Sequence, residues 1–313
     1  METNKDKSWL SFQDQIKLLR SRGMLINDED RALRYLQRVG YYRLSGYSYP
    51  FRKYATSKTR QNFFVEGSKF DHIIDLFVFD KKLRLLALDA LERIELAIRV
   101  DIAYLLGEKG ALAHLDAANF IKTRQIDGCL TLFDKWKQNY NSKLLRSKRD
   151  IIIQHYKNKH NGNVPIWVGI EFWDFGTLST IFSLMKGPDK LKIAAKYNAE
   201  RLNSKYIPLL EQWLRSLNYI RNVSAHHARL WNISLVDRSD APMGIFDAQT
   251  MFNNEKPFYY FVIMKSMLDV ISPNSKWGDR FIAHLESFPK GLPNDVSLEQ
   301  FGLIENWEKL NVW

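Results

Sequence analysis

One short segment of the chain brings together side chains that could cleave RNA. Residues 219–232 read YIRNVSAHHARLWN, so arginines, asparagines and histidines lie close together in sequence. A histidine, whose ordinary pKa is about 6.5, can take the proton from an RNA 2′-hydroxyl, which then attacks the neighbouring phosphorus. An arginine beside it can stabilise the charge that develops on the phosphorane-like transition state. Because RNA carries its own nucleophile, this chemistry needs no metal ion.

The same histidines have other interpretations. The sequence contains no HExxH motif, and its single cysteine, Cys129, cannot build a thiolate site, so we expect no metal and no cofactor. Structural histidines that are buried and satisfied by backbone groups remain an alternative. Arg149 and His155 have a similar arginine–histidine spacing but lack a flanking asparagine, which makes them the weaker candidates.

An amphipathic helix is predicted to position the segment. Apolar residues recur at helical spacing from Tyr206 to Ile220, and Ser204 is the predicted N-cap. Arg221 follows Leu217 by four residues, so it lies on or beside the buried stripe. An unpaired charge is costly at such a position. The guanidinium therefore requires an anion, and phosphate is the obvious candidate.

The rest of the chain is predicted to be mostly helical. Ser11 and Asn27 are the predicted N-caps of two short helices. Apolar residues then follow helical spacing over residues 70–106, a helix of roughly 50 Å. Residues 40–66, rich in Tyr, Ser, Gly and Thr, are predicted to be loop or short strand. Shorter helices are predicted at 124–140, 147–158, 177–186, 188–198, 257–271 and 277–287. This pattern predicts an all-α helical bundle.

Positive charge is unevenly distributed. The formal net charge is +11, but residues 237–313 contain 7 basic and 11 acidic side chains, which leaves +15 for residues 1–236. Residues 31–62 contain eight Lys and Arg residues and no acidic residue, interleaved with tyrosines. Arginine neutralises phosphate and aromatic rings stack on unpaired bases, so this block predicts a surface for single-stranded RNA. The alternative is that the tyrosines are core and the arginines a solvated rim. The predicted RNA-binding residues are Arg31, Arg34, Arg38, Tyr41, Tyr42, Arg43, Tyr47, Arg52, Lys53 and Arg229.

Composition predicts a cytoplasmic protein with no membrane partner. A single cysteine in 313 residues fits a reducing cytosol. The sequence has no apolar run of the about 18 residues that a membrane span needs, and its polar N-terminus does not resemble a secretory signal. Changes in charge predict three regions: a basic and aromatic helical region at 1–66, a helical core at 67–236 and an acidic helical extension at 237–313.

Several strings along the chain match the pattern of one family. They are Ser11-Phe12 with Gln15 and Leu19, then GYYRLSGY at 40–47, FDKKLR at 79–84, LERIE at 91–95, PIW at 165–167, FG at 175–176 and RNVSAHHARLWN at 221–232. On these strings the chain resembles the AbiD/AbiF group of bacterial abortive-infection proteins over most of its length. That group is assigned to the HEPN superfamily of helical ribonucleases, whose signature is an arginine and a histidine separated by four to six residues.

The resemblance implies a role for each residue of the segment. Arg221 matches the catalytic arginine, Asn222 the polar residue that often follows it, and His226 the catalytic histidine, with His227 as a competitor. It also implies an HEPN-type helical bundle and a homodimer, because two such motifs usually meet across one active site and this chain has one convincing motif.

The resemblance further implies a toxin of phage defence that cleaves RNA without a metal, leaves 2′,3′-cyclic phosphate and 5′-hydroxyl ends, and is paired with a small noncoding antitoxin RNA. Two other functions remain open. The chain could be a non-catalytic RNA-binding protein that grips phosphate through Arg221 and His226. It could also be a DNA-binding regulator that uses the helices near 11–22 and 27–38 as a helix-turn-helix-like element.

Overall fold

The computed structural model describes residues 8–55, 59–122, 125, 129–202, 207–240, 252–293 and 296–313. In this part of the chain the fold is an all-α bundle, as the sequence predicts, with one two-stranded antiparallel sheet. The helices are α1 (Phe12–Ser21), α2 (Glu29–Arg38), α3 (Tyr41–Ser48), α4 (Phe70–Gly107), α5 (Leu132–Arg146), α6 (Ile151–Lys159), α7 (Ile166–Gly169), α8 (Phe175–Leu184), α9 (Gly187–Ala195), α10 (Leu209–Ala225), α11 (Pro257–Ile271) and α12 (Trp277–Glu286). The strands are β1 (Arg52–Tyr54) and β2 (Arg60–Phe64).

The long helix α4 is the centre of the bundle. Its 38 residues span about 57 Å, and its apolar positions at helical spacing are buried as predicted. Glu95 and Arg99 form an ion pair one turn apart, at 2.5 Å. The helices α3, α7, α8, α10, α11 and α12 all pack against α4. It is therefore the common support for the elements that build the candidate site.

The prediction of loop or short strand for residues 40–66 is wrong at its start. Residues 41–48 form α3, which begins after Gly40, a residue at φ +89° where a side chain would be strained. Leu44 and Tyr47 are buried where α3 packs against α4. Tyr, Ser and Gly are weak helix formers, so tertiary packing has overridden local propensity here. The later part of the block does form short strands, β1 and β2.

The helix starts follow the predicted capping chemistry in part. The Ser11 hydroxyl accepts a hydrogen bond from the Asp14 amide at 3.1 Å, as predicted. The second helix is capped by Asp28 and not by Asn27, since the Asp28 carboxylate accepts from the Arg31 amide at 2.8 Å. Both residue types are good caps, so the sequence alone favours neither.

The shorter helices lie near their predicted positions with shifted bounds. The helix predicted at 124–140 is α5, which begins at Leu132 after the Thr131 cap; positions 124 and 126–128 lie outside the described residues. The helices predicted at 147–158, 177–186 and 188–198 are α6, α8 and α9. Helix ends depend on caps and packing more than on periodicity, which accounts for the shifts.

The C-terminal helices pack directly on α4. The Trp277 indole of α12 donates to the Leu86 carbonyl of α4 at 2.9 Å. The His284 ring nitrogen Nε2 lies 3.0 Å from the Phe79 carbonyl oxygen. Around them, aromatic side chains of α11, α12 and the last residues stack on each other, with Phe261 and Phe281 centroids 4.7 Å apart. Among the described helices, none combines the length and apolar character needed to cross a membrane.

Candidate functional site

The helix α10 carries the arginine–histidine segment. It begins after Pro208, whose fixed φ suits a helix start, while the predicted N-cap Ser204 lies outside the described residues. One face packs in the core as predicted. The buried apolar residues of this face are Leu209, Leu210, Trp213, Leu214, Leu217 and Ile220. The segment therefore starts from a rigid support.

A Schellman motif ends α10 at the two histidines. The Ala228 amide donates to the Val223 carbonyl at 2.9 Å, and the His227 amide donates to the Ser224 carbonyl at 3.1 Å. His227 occupies the left-handed position of this motif, at φ +57°. His226 is the C-cap and is exposed. The two adjacent histidines thus have different backbone conformations.

Arg221 and Asn222 lie near the end of α10 and are partly buried. Arg221 Nη1 donates to Asn222 Oδ1 at 3.2 Å. Burial raises the pKa of Glu95 on α4, and the charges of Arg99 and Arg221 oppose this rise. Within the described residues Arg221 forms no ion pair of its own. The anion that its position requires is thus only partly supplied by Glu95, which is already paired with Arg99.

An open cleft of about 1220 Å³ lies beside the end of α10. Its lining comes from α1 and the residues on either side of it, from α3, from Tyr49 and the strands β1 and β2, and from the residues after α10. The lining residues are Ser8, Leu10, Gln15, Leu18, Arg22, Tyr41, Tyr42, Arg43, Ser45, Gly46, Tyr47, Tyr49, Arg52, Asn62, His226, Ala228, Arg229 and Ile233. Four arginines and no acidic residue contribute to it, so it suits a polyanion. We call it the His226 cleft.

Two segments that line the His226 cleft, α3 and the residues after α10, are joined by hydrogen bonds from arginine side chains to backbone carbonyls. Arg43 of α3 donates to the His227 carbonyl. In return, Arg229 donates to the Gly46 carbonyl of α3. The exchange fixes α3 against the segment after α10. It also occupies part of the donor capacity of two arginines that the sequence assigns to RNA binding.

A buried carboxylate lies beneath the walls. Asp80 of α4 is fully buried and pairs with Arg84 one turn later. It accepts a hydrogen bond from the Tyr47 hydroxyl of α3 at 2.5 Å. It also accepts from the backbone amides of Leu230 at 3.1 Å and Trp231 at 2.8 Å. Burial raises the pKa of Asp80, whereas Arg84 and the three hydrogen-bond donors favour its carboxylate.

The structure divides the predicted RNA-binding residues into groups. The His226 cleft is lined by Tyr41, Tyr42, Arg43, Arg52 and Arg229. Tyr47 also borders the cleft but is buried, and the remaining four residues lie elsewhere. Arg31 pairs with Asp71 at the start of α4, while Arg34, Arg38 and Lys53 are exposed outside the cleft lining.

Tyr47 corrects the sequence interpretation. It was predicted to contact RNA, but its ring is only 1% exposed and its hydroxyl is bound to Asp80. Its side chain is therefore core, and its face is not available to a base. Tyr42, by contrast, is 92% exposed at the cleft. The alternative that the tyrosines are core thus holds for Tyr47 and not for Tyr42.

Sequence reasoning missed some residues of the site. Arg22 lies before the acid-free block, and its guanidinium donates to the Tyr41 hydroxyl at 3.2 Å in the cleft. Tyr49 lies within the block, where the guanidinium carbons of Arg52 and Arg60 are each 5.7 Å from its ring centroid. Asp80 belongs to the FDKKLR string. Its position among the apolar residues of a long helix could have identified it, since a charge on such a face needs a partner.

Arg149 and His155, the weaker arginine–histidine pair, are on or next to α6 and do not line the His226 cleft. The His155 ring lies 5.5 Å from the His160 ring. In the portion of the chain that the structure describes, no group of three or more His, Cys, Asp or Glu residues is arranged to hold a metal ion.

Comparison with known proteins gives one match. A family model described as Abi-like protein matches residues 34–232, which is more than half of the 313-residue chain. The match includes α3, α4, α10 and residues 226–232, so the cleft-lining residues from Tyr41 to Arg229 fall within it. No curated protein and no solved structure matches the chain.

Proposed function

The chain belongs to the Abi-like family of abortive-infection proteins, and we propose that it is a metal-independent endoribonuclease that acts as the toxin of a phage-defence system. One observation carries the proposal. His226 lies on the wall of a cleft whose other lining residues include four arginines and three exposed or partly exposed tyrosines. Guanidinium groups suit the phosphates of a nucleic acid, and tyrosine rings suit unpaired bases.

In the proposed reaction His226 acts as the general base. It takes the proton from a 2′-hydroxyl, and the oxygen attacks the adjacent phosphorus as the bond from phosphorus to the 5′-oxygen breaks. The products are a 2′,3′-cyclic phosphate and a 5′-hydroxyl. Arg221 stabilises the charge on the phosphorus oxygens, and its incomplete pairing with Glu95 leaves it available for that task. Asn222 holds the guanidinium through its hydrogen bond at 3.2 Å.

The proposed active site is completed by a second copy of the chain. Arg221 is not among the residues that line the His226 cleft, although Arg221 and His226 both lie at the C-terminal end of α10. A homodimer would bring two Arg221 and two His226 side chains to one two-fold axis, with one histidine as base and the other as acid for the leaving 5′-oxygen. We expect the purified protein to have twice the monomer mass of 36.9 kDa, measured by light scattering.

The same cleft is proposed to bind the target RNA and a small noncoding antitoxin RNA in turn. Both are polyanions, and both could use the arginine and tyrosine side chains of the lining. Competition between the two RNAs for the protein, measured by fluorescence anisotropy, tests this part of the proposal.

Cleavage of labelled single-stranded RNA in the presence of EDTA tests the enzyme proposal. We expect cleavage by the wild type, and about 10²–10⁴-fold slower cleavage by His226→Ala, because a positioned acid or base contributes a factor of that size. Arg221→Ala is expected to lose a similar factor. The matched control is His155→Ala, which removes an exposed histidine of α6 that does not line the cleft.

RNA binding measured on the same variants separates the alternatives. Binding without cleavage by the wild type would indicate a non-catalytic RNA-binding protein. Sequence-dependent binding of duplex DNA would indicate a regulator. Equal cleavage by the wild type and both site variants would refute the assignment of His226 and Arg221.

A further inference from the structure

We propose that Asp80 is a positioning residue, whose buried carboxylate holds the backbone that carries His226 and thereby sets where His226 lies on the cleft. The inference rests on the proposed function, because that function gives His226 its catalytic task. Asp80 itself is fully buried and meets neither substrate nor solvent.

The carboxylate joins three elements at one point. Its own helix α4 supplies the Arg84 guanidinium. The helix α3 supplies the Tyr47 hydroxyl at 2.5 Å. The segment after α10 supplies two backbone amides, of Leu230 and Trp231, both within 3.1 Å. The other two elements, α3 and the segment after α10, both line the His226 cleft.

An apolar side chain could not replace Asp80. The amides of residues 230 and 231 lie in a segment without helix or strand partners, and a buried amide needs an acceptor. A carboxylate offers about four lone-pair sites and can satisfy two amides, a hydroxyl and a guanidinium together. A buried ion pair is often no more stable than apolar packing of equal volume. The role that explains a charge here is therefore geometric.

The segment from His226 to Trp231 is short, and most of its residues have a backbone group that is hydrogen-bonded to a side chain. Arg43 donates to the His227 carbonyl, and Arg84 donates to the Ala228 carbonyl at 3.2 Å. Asp80 then accepts the amides of residues 230 and 231. Arg84 depends on Asp80 for its own charge partner, so Asp80 supports three of these four contacts. A displacement of about 1 Å at a catalytic group can cost on the order of 100-fold in rate.

The test compares Asp80→Asn with Asp75→Asn. Both substitutions remove one carboxylate from α4, but Asp75 is exposed. Single-turnover cleavage of a labelled single-stranded RNA, expressed per folded molecule, is expected to fall by about 10–100-fold in Asp80→Asn and to stay at the wild-type rate in Asp75→Asn. The Kd for an uncleavable 2′-deoxy version of that RNA is expected to stay within about 3-fold, because the cleft residues that contact phosphate are unchanged.

Amide hydrogen exchange of residues 226–231 gives a readout that does not depend on cleavage. We expect faster exchange there in Asp80→Asn, with unchanged exchange in α11. If the wild type does not cleave RNA, the proposed function fails, and the exchange comparison still decides whether Asp80 positions the segment.

Tyr47→Phe covers the case in which Asp80→Asn does not fold. It removes the α3 hydroxyl and leaves both amide contacts of the carboxylate, so we expect an intermediate loss of about 3–10-fold in the cleavage rate. A wild-type cleavage rate per folded molecule in the variant tested, or unchanged exchange of residues 226–231, would overturn the inference.

Discussion

Two faces of α4 support two regions of the molecule that are built in different ways. One face carries Asp80 and Arg84, which bind the walls of the His226 cleft through hydrogen bonds to backbone and hydroxyl groups. The other face receives α11 and α12, where aromatic rings pack on each other and Trp277 is fully buried. We call the first the polar face and the second the aromatic face.

The difference follows from what each face has to hold. The helices α11 and α12 satisfy their own backbone groups, so side-chain packing and the contacts of Trp277 and His284 with carbonyls of α4 can fasten them. In the segment after α10 the buried amides of Leu230 and Trp231 find their acceptor in the Asp80 carboxylate and not in a helix or strand. His226 is the C-cap of α10, and the buried irregular backbone that follows it needs polar groups as partners. The aromatic face therefore supplies stability, and the polar face supplies geometry.

The largest expected effect on stability is at the aromatic face. Trp277→Ala is expected to lower the free energy of unfolding by about 3–5 kcal/mol, because it leaves a cavity and removes the indole contact with the Leu86 carbonyl. Urea unfolding followed by circular dichroism measures this. Trp9→Ala is the control, since Trp9 is 86% exposed. A loss below about 1 kcal/mol would show that the aromatic face is not the main source of stability.

Acid is expected to have an effect at the same face that is smaller for each pH unit. Burial lowers the pKa of His284 to about 4, below its unfolded value of about 6.5. Above pH 6.5 the ring is neutral in both states and its full contribution to stability is present. As the pH falls from 6.5 to 4 the unfolded chain binds the proton first, and stability falls by about 1.4 kcal/mol for each pH unit.

In His284→Gln the slope of the free energy of unfolding against pH is expected to fall by the contribution of about one proton between pH 6 and pH 4.5. Denaturant unfolding at a series of pH values measures this slope. His155→Gln, a change at an exposed histidine, is the control. Burial also lowers the pKa of His114 to about 4, so acid sensitivity remains in the variant. An unchanged slope in His284→Gln would contradict the prediction.

At the polar face the expected effect is on function more than on stability. Arg43→Met removes the donor to the His227 carbonyl and one cation of the cleft. Arg43 is exposed, so the free energy of unfolding is expected to fall by less than about 1 kcal/mol. Cleavage is expected to fall about 10-fold or more, measured on the same labelled RNA. Arg38→Met is the control, because Arg38 is exposed outside the cleft lining. Equal losses in both variants would indicate a general charge effect.

The smallest expected effect is at His227. Glycine is the residue most suited to the left-handed position of a Schellman motif, where His227 has φ +57°. His227→Gly is therefore expected to raise the free energy of unfolding by about 0.5–1 kcal/mol, measured as a slightly higher melting temperature. We expect RNA cleavage to persist, because His226 is the histidine on the cleft. Loss of cleavage in His227→Gly with full cleavage in His226→Ala would reverse the assignment of the two histidines.

Local patterns predicted much of the fold. The periodicity of residues 70–106 gave α4 nearly to its ends, and the apolar stripe before Arg221 gave α10. The hydroxyl of Ser11 was correctly identified as a cap. These features depend on residues within a few turns of each other, so a single sequence contains the information.

The errors at α3 and Tyr47 have one cause. The helix α3 and the burial of Tyr47 depend on α4, whose Asp80 is 33 residues away. The Asp80–Trp231 hydrogen bond spans 151 residues. No local pattern reports contacts at that separation, and weak helix formers such as Tyr, Ser and Gly then adopt the structure that their distant partners favour.

The amino-acid sequence by itself determined the helical class, the cationic and aromatic character of the N-terminal block, and the residue types that could act on a phosphate. The tertiary structure alone decided which tyrosine rings are exposed at a cleft and which are core, which arginines hold backbone carbonyls, and that His226 rather than His227 borders the cleft. The physical reason is that side-chain chemistry and helix periodicity are local properties. Burial and hydrogen-bond partnership are set by segments that meet only when the chain has folded.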